Sequence, residues 1–207
     1  MFFNQIKFLF RDAVFHVVSH MSPYLVDPDK DFTRRRKLPP ETLISFLVSQ
    51  GASSTGNELD DFFDFSPDAP SLSALNQQRN KIKPQALEEV FRRFDASLSS
   101  LEAHPAYRLL AADGSSFSFF SAPRWTPDEY FVSQGHSAKG FYSLHLNALY
   151  DLDTHTYKDA LIQPVHSKDE FRAFCTMVDR LETPDGVSDI FIADRGYCSY
   201  NNMAHVL

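Results

Sequence analysis

The chain has 207 residues, 43% of them hydrophobic and 23% charged, with Phe, at 20 copies, the one inflated type; this is an ordinary globular composition, long enough for a sizeable core. Twenty Lys and Arg against 27 Asp and Glu give a net charge of −7, a sign that does not favour a polyanionic partner. No run approaches the roughly 18 uninterrupted apolar residues of a membrane span, and the charged opening MFFNQIKFLFRDAVF is not a secretory signal, so a cytoplasmic location is expected.

Two cysteines, Cys175 and Cys198, are too few for a disulfide framework or a Cys-based zinc site and read as buried, reduced thiols. Residues 34–37, Arg34, Arg35, Arg36 and Lys37, are the densest positive charge in the chain. They suit contact with a phosphate backbone, or simply a solvated loop. PPETLISFLVSQG then predicts a helix: prolines at its start, Glu41 in the first turn, Leu43, Ile44, Leu47 and Val48 on one stripe, Gly51 as terminator. After an Asp, Ser and Pro-rich loop at 64–71, Ser71 caps a second helix and Pro84 opens a third. Arg79, Lys81 and Lys83 sit by the turn between them, as in a helix-turn-helix DNA reader, although structural helical hairpins share the pattern.

Near residue 100 the pattern changes from helical to strand-like. RLLAAD is a short apolar strand ending in Asp113, with SFSFF a plausible partner strand. In SLHLNALYDL, Leu144, Leu146, Ala148, Tyr150 and Leu152 alternate with Ser143, His145, Asn147 and Asp151, a half-buried strand. DLDTH turns into TYKDALIQP, closed by Pro164, so the two form an antiparallel hairpin. Ser167 and Glu170 read as a capping box for a helix burying Phe171, Phe174, Cys175, Val178 and Leu181. DIFIAD is a fully buried kind of strand ending in Asp194.

Asp113 and Asp194 occupy matching settings: each ends an apolar run, in ADGS and ADRG. Acids at strand ends of an open sheet are where ligands gather, whereas a single such Asp is commonly only a turn residue. Other constellations are weaker. His136, His145, His155 and His166 lack zinc-ligand spacing, GSS at 114–116 lacks the serine-hydrolase elbow, and Lys139 in SAKGF is not part of a phosphate loop.

The segments FTRRRKLPPETLISFLVSQG, NQQRNKIKPQALEEVF, LLAADGSSFSF, HLNALYDL and IADRGY resemble bacterial insertion-sequence transposases of the DDE type, specifically the insertion sequence four family. The resemblance implies an α+β protein, with a helical DNA-binding region over residues 1–103 and an incomplete RNase H-like mixed-sheet core over 104–207. It implies transposition by phosphoryl transfer, with Asp113 and Asp194 as catalytic metal ligands for two Mg²⁺ or Mn²⁺ ions. The partner would be double-stranded DNA, both element ends and target, and a homodimer of the full-length form is allowed. Arg34, Arg35, Arg36, Lys37, Arg79, Lys81, Lys83 and Arg195 become its candidate contacts; Arg195 could instead pair with a neighbouring acid. The family's third carboxylate sits in a Tyr-Arg-Glu signature, but the 13 residues after Asp194 contain no acid. Either the chain is truncated or another acid substitutes, Glu170 being the nearest by sequence although its capping position disfavours it; a truncated, inactive polypeptide is expected. A non-catalytic DNA-binding remnant and a metal-dependent nuclease are the alternatives.

Overall fold

Helices α1 (Phe2–Ser19), α2 (Pro40–Ser49), α3 (Thr55–Phe62), α4 (Leu72–Arg79) and α5 (Gln85–Ser99) build the first of two units, Met1–Glu102. A mixed sheet with helices builds the second, Ala103–Leu207. This computed structural model describes residues 2–34, 36–100, 106–119, 128–133 and 140–206. The readings made of Arg35, His136, Lys139 and a boundary at 103 and 104 lie outside those residues.

In the first unit α1 contributes Ala13, Val14 and Val17 to a cluster with Ile44 of α2 and Ala86 and Val90 of α5. Phe10 and Phe94 meet edge to face at 6.0 Å beside it. Helix α2 begins as its prolines predict, with Pro39 as N-cap and Glu41 in the first turn. Its buried stripe is Leu43, Ile44 and Phe46, while Val48 is 54% exposed. The expected stripe is corrected because Phe46 packs edge-on against Phe62 at 5.4 Å, in a second cluster with Leu38, Leu59 and Leu75, and rotates Val48 outward. Ser71 caps α4, its hydroxyl accepting from the Ala74 N–H. The turn between α4 and α5 is not free: Val26 N–H donates to the Lys81 carbonyl at 2.9 Å and Lys83 N–H to the Tyr24 carbonyl at 2.8 Å.

In the second unit the strands are β1 (Tyr107–Phe119), β2 (Phe131–Ser133), β3 (Gly140–Asp151), β4 (Thr156–Pro164) and β5 (Ser188–Ala193). The sheet runs β2-β3-β1-β5, with β4 also on β3. Among the described residues only β1 and β5 pair in parallel; the other ladders are antiparallel. This mixed order, with helix α6 (Glu170–Arg180) between β4 and β5 and α7 (Tyr200–Val206) after them, is an α+β arrangement consistent with an RNase H-like core. β3 and β4 form the expected hairpin, its turn held by Asp151 Oδ1 accepting from Asp153 N and Thr154 N.

Strand β5 is not the fully buried strand expected, since Ile190 and Ile192 are 46% and 45% exposed. Three further expectations are corrected. First, β1 runs unbroken through Asp113 and Gly114 into SFSF, all the way along β3, so SFSFF is not a partner strand. Gly114 is not in the left-handed region that would make a turn there. Second, Ser167 and Glu170 form no capping box. Asp169 is the N-cap, accepting from Arg172 N at 2.9 Å, and the helix buries Ala173, Phe174, Cys175 and Met177 while Phe171 is 42% exposed. Third, Cys198 is exposed, although both thiols are free; burial pushes the Cys175 thiol up from its ordinary pKa.

Helix α6 covers one face of the sheet, where Leu110, Ala112 and Leu149 pack on Phe174, Cys175 and Met177. On β3 it is the polar set, Ser143, His145, Asn147 and Asp151, that is buried, and Leu144, Leu146, Ala148 and Tyr150 that are half-buried. A buried pair ties β1 to β5. Arg108 and Asp189 are register partners, and the guanidinium donates to both carboxylate oxygens at 2.7 and 2.8 Å.

Candidate active site

The parallel ladder of β1 and β5 runs from Tyr107 opposite Ser188 to Ala112 opposite Ala193. One step further along both chains come Asp113 and Asp194. Alternation gives Asp113 the side shared by Leu109 and Ala111, and Asp194 the side shared by Ile190 and Ile192. These are partner rows of the ladder, so the two carboxylates leave the carboxyl end of the strand pair on the same side. Neighbouring strands lie about 4.8 Å apart, a separation that two Asp side chains can span onto one cation with oxygen bonds of about 2.0 to 2.1 Å.

Each carboxylate is held by a backbone amide just after it, Asp113 within β1 and Asp194 in the turn that follows β5. Asp113 Oδ1 accepts from Gly114 N at 2.8 Å, and Asp194 Oδ1 accepts from Gly196 N at 2.6 Å. Among the described residues neither has a cationic partner, and the Oδ2 of each is free. Asp194 also caps a short 3-10 turn, Arg195–Tyr197, where its extended backbone leaves the strand. A Cβ on residue 196 would lie 2.8 Å from Asp194 Oδ1, so the turn needs glycine there.

Behind the pair lies a polar cluster between the sheet and α6. His145 is 3% exposed; its Nδ1 lies 3.0 Å from Ser116 Oγ. Its Nε2 is 3.0 Å from Glu170 Oε1, but the direction is not that of a hydrogen bond, so the contact is electrostatic only. Gly114 makes room for this ring, because a Cβ there would be 2.5 Å from Nε2 and 3.2 Å from Asn147 Oδ1. Lys168 Nζ approaches Glu170 at 3.7 Å. Tyr197, from the turn that follows Asp194, packs its ring on Phe174 at 5.9 Å. Burial first, then the charges of Glu170, Asp113 and Asp194, push its phenol up to about 12.

Residues 104–207, half of the chain, match the family described as the transposase DDE domain. The chain belongs to the transposase DDE domain family. Comparisons with curated proteins and with solved structures gave no match. Family membership carries a transposase-type function and DNA as partner, and such transposases typically use divalent metal ions.

Two hard carboxylates, each with an oxygen left over, fit magnesium, which binds through one or two carboxylates together with water and phosphate oxygens. Among the described residues no three Asp, Glu, His or Cys side chains converge closely enough to hold an ion by themselves. Arg195 is exposed and makes no ion pair among the described residues.

The remaining basic candidates lie in the first unit. Arg34, Arg36, Lys37 and Arg79 are exposed. Arg36 borders two concavities against α4, one shared with Lys37, Ala74 and Gln77, the other with Arg34, Gln78 and Lys81. Lys37 pairs with Asp68 at 3.5 Å, both side chains largely in solvent. Lys81 lies over the Phe32 ring at 5.5 Å, and Lys83 donates to the Pro23 carbonyl at 3.0 Å. The structure thus groups Arg34, Arg36, Lys37 and Lys81, and occupies Lys83 with the backbone. The sequence reading takes His145 only as a weak zinc candidate and Glu170 only as a cap or a disfavoured substitute acid, and does not single out Tyr197; the visible signal is the polar set His145, Asn147 and Asp151 on one side of a strand.

Proposed function

We propose that the chain is the DNA transposase of an insertion sequence, of the insertion sequence four family, acting at element ends by metal-dependent phosphoryl transfer. Residues 1–103 serve as the helical DNA-binding region and 104–207 as the catalytic part. The observation that carries this reading is the placement of Asp113 and Asp194 at successive-register positions beyond the one parallel ladder, each with one oxygen uncommitted.

A bound Mg²⁺ or Mn²⁺ would supply Lewis acidity toward a phosphate and its attacking oxygen. Asp113 and Asp194 would hold that ion through their free oxygens, while Gly114 N–H and Gly196 N–H keep the other oxygens from swinging away. Arg195, next to Asp194 and without an ion pair among the described residues, is set to grip a phosphate oxygen of the DNA strand. Arg34, Arg35, Arg36, Lys37, Arg79, Lys81 and Lys83 are the proposed backbone contacts; they position DNA without reading bases. The full-length form is proposed to act as a homodimer on two element ends.

The test is an assay of DNA carrying the element's ends with Mg²⁺ or Mn²⁺. The expected outcome is salt-dependent binding, with nicking that Asp113→Asn and Asp194→Asn each lower by more than about 100-fold, since supporting partners alone are worth about 10- to 100-fold. Efficient joining of ends to target is not expected from two carboxylates. Nicking that survives both substitutions would overturn the reading. Binding without nicking at any cation concentration would favour a non-catalytic remnant, which the two-acid donor set also allows; cutting that ignores the ends would favour a nuclease.

A further inference from the structure

Gln78, in α4, is a buried amide with nothing to bond. It is 4% exposed, and its side chain forms no hydrogen bond among the described residues. Gln77 beside it does have a partner, its amide donating to Ser73 Oγ at 3.4 Å. A buried donor without a partner is a cost to the fold, and a ligand would remove it. Gln78 lines two concavities, of about 690 and 390 Å³, both in the size range of ligand clefts, roughly 300 to 1,000 Å³.

Arg36 is the other residue that both concavities share. Lys37 stands on one side and Lys30, Arg34 and Lys81 on the other, with one acid, Asp29, among the described lining residues. Lys30 is tied to Asp27 at 2.8 Å, Lys37 faces Asp68 at 3.5 Å and Lys81 lies over Phe32, but Arg34 and Arg36 make no ion pair among the described residues. The first turn of α4 adds to the field. Ser71 and Ala74 border the larger concavity, Ala74 stands one helical turn before Gln78 on the same face, and a helix start carries the positive end of the dipole. A chain of net charge −7 thus gathers uncompensated positive charge around one neutral donor. The ligand that suits both is an anion rich in acceptor oxygens, and a phosphodiester is such an anion.

We infer that the Gln78 side-chain amide donates to a phosphate oxygen of a DNA strand seated beside α4, with Arg36 supplying the charge, so that the two concavities form one fixed phosphate notch. The inference rests on the proposed DNA-binding role of residues 1–103. A neutral donor leaves a signature of its own. Charged contacts release counterions on binding and Gln78 does not, so its loss lowers affinity by the same factor at every salt concentration.

Salt-dependent binding of the whole chain to duplexes of two unrelated sequences, with Gln78→Met and Arg36→Ala beside the parent, tests the assignment. Gln78→Met is expected to bind both duplexes about 10-fold more weakly, as loss of a hydrogen bond to a charged group does, with the salt slope unchanged. Arg36→Ala should reduce that slope by about 1. The DNA-free melting temperature of Gln78→Met should stay equal or rise, because the unmatched amide is gone. Replacing a merely structural glutamine would lower melting and leave affinity alone. Unchanged affinity in a folded Gln78→Met protein overturns the inference and leaves the DNA-binding role standing. A loss confined to one sequence also overturns it, since that marks base reading. A parent chain that binds neither duplex overturns the DNA-binding role and the inference with it. Should Gln78→Met not fold, the Gln78 side-chain amide signals of the parent chain must shift in an NMR titration with duplex; no shift, or an equal shift with inorganic phosphate alone, overturns the inference.

Discussion

Glycine 114 shows how closely a single position controls this site. Its hydrogen stands where a methyl would press on His145 and Asn147, which are 3% and 0% exposed and cannot retreat. Gly114→Ala is therefore expected to destabilise the fold by about 1 to 3 kcal/mol, the usual cost of overpacking, measured by thermal or urea unfolding; an unperturbed midpoint would show that the ring can move aside. Asp113 and Asp194, the proposed ligands, stand out in the sequence because each follows an apolar run, and that pattern depends only on near neighbours. His145, Glu170 and Tyr197 do not, since their roles depend on which sheet face α6 covers. Glu170 is the clearest case: spacing from Ser167 suggested a cap, but Asp169 takes the cap and leaves Glu170 to face His145.

Among the elements, β1 and β5 carry the proposed site, and their buried Arg108–Asp189 pair helps fix the register that sets the two aspartates side by side. Both side chains are under a tenth exposed. Asp189→Asn removes the counter-charge of a buried guanidinium, so a loss of about 3 to 5 kcal/mol is expected in denaturant titrations; a loss under about 1 kcal/mol would mean that water already reaches the pair. Burial alone would raise the Asp189 pKa, but the hydrogen bonds from Arg108 and Thr183 and the Arg108 charge hold it below the ordinary carboxylate value. A lowered folded pKa stabilises the native state above the unfolded pKa of about 3.9, and that contribution fades as pH falls further. The acid limb of the stability curve should flatten in Asp189→Asn. The hairpin of β3 and β4 and the α2 boundaries could be read locally from turn and proline signals. The face that β3 buries could not, because alternation separates two sides without saying which one a helix will cover. Ser143, His145, Asn147 and Asp151 went inside, where Ser116 and Gln163 supply partners for His145 and Asn147 and the β-turn amides for Asp151.

At the scale of the whole molecule, the family and the two-unit organisation account for the change of pattern near residue 100, and no described helix is long and apolar enough to cross a membrane. The net charge of −7 sits poorly with DNA unless positive charge is gathered locally. Residues 1–107 hold 12 basic and 14 acidic side chains, and 108–207 hold 8 and 13, so neither half is basic as a whole. Local gathering is what the first unit offers at Arg34, Arg36, Lys37 and Lys81. Arg36→Ala should weaken binding to all duplexes alike and reduce the salt slope by about 1, as loss of one phosphate contact does. A change confined to particular sequences would point to base reading instead.

The most direct test follows two amides that are far apart in the chain and both bonded to the proposed ligands, Gly114 N–H and Gly196 N–H. If Asp113 and Asp194 grip one ion, substoichiometric Mn²⁺ will broaden both amide NMR signals in parallel, and Asp113→Asn will abolish the effect at each. Broadening of one signal without the other, or at neither, would contradict a shared cation.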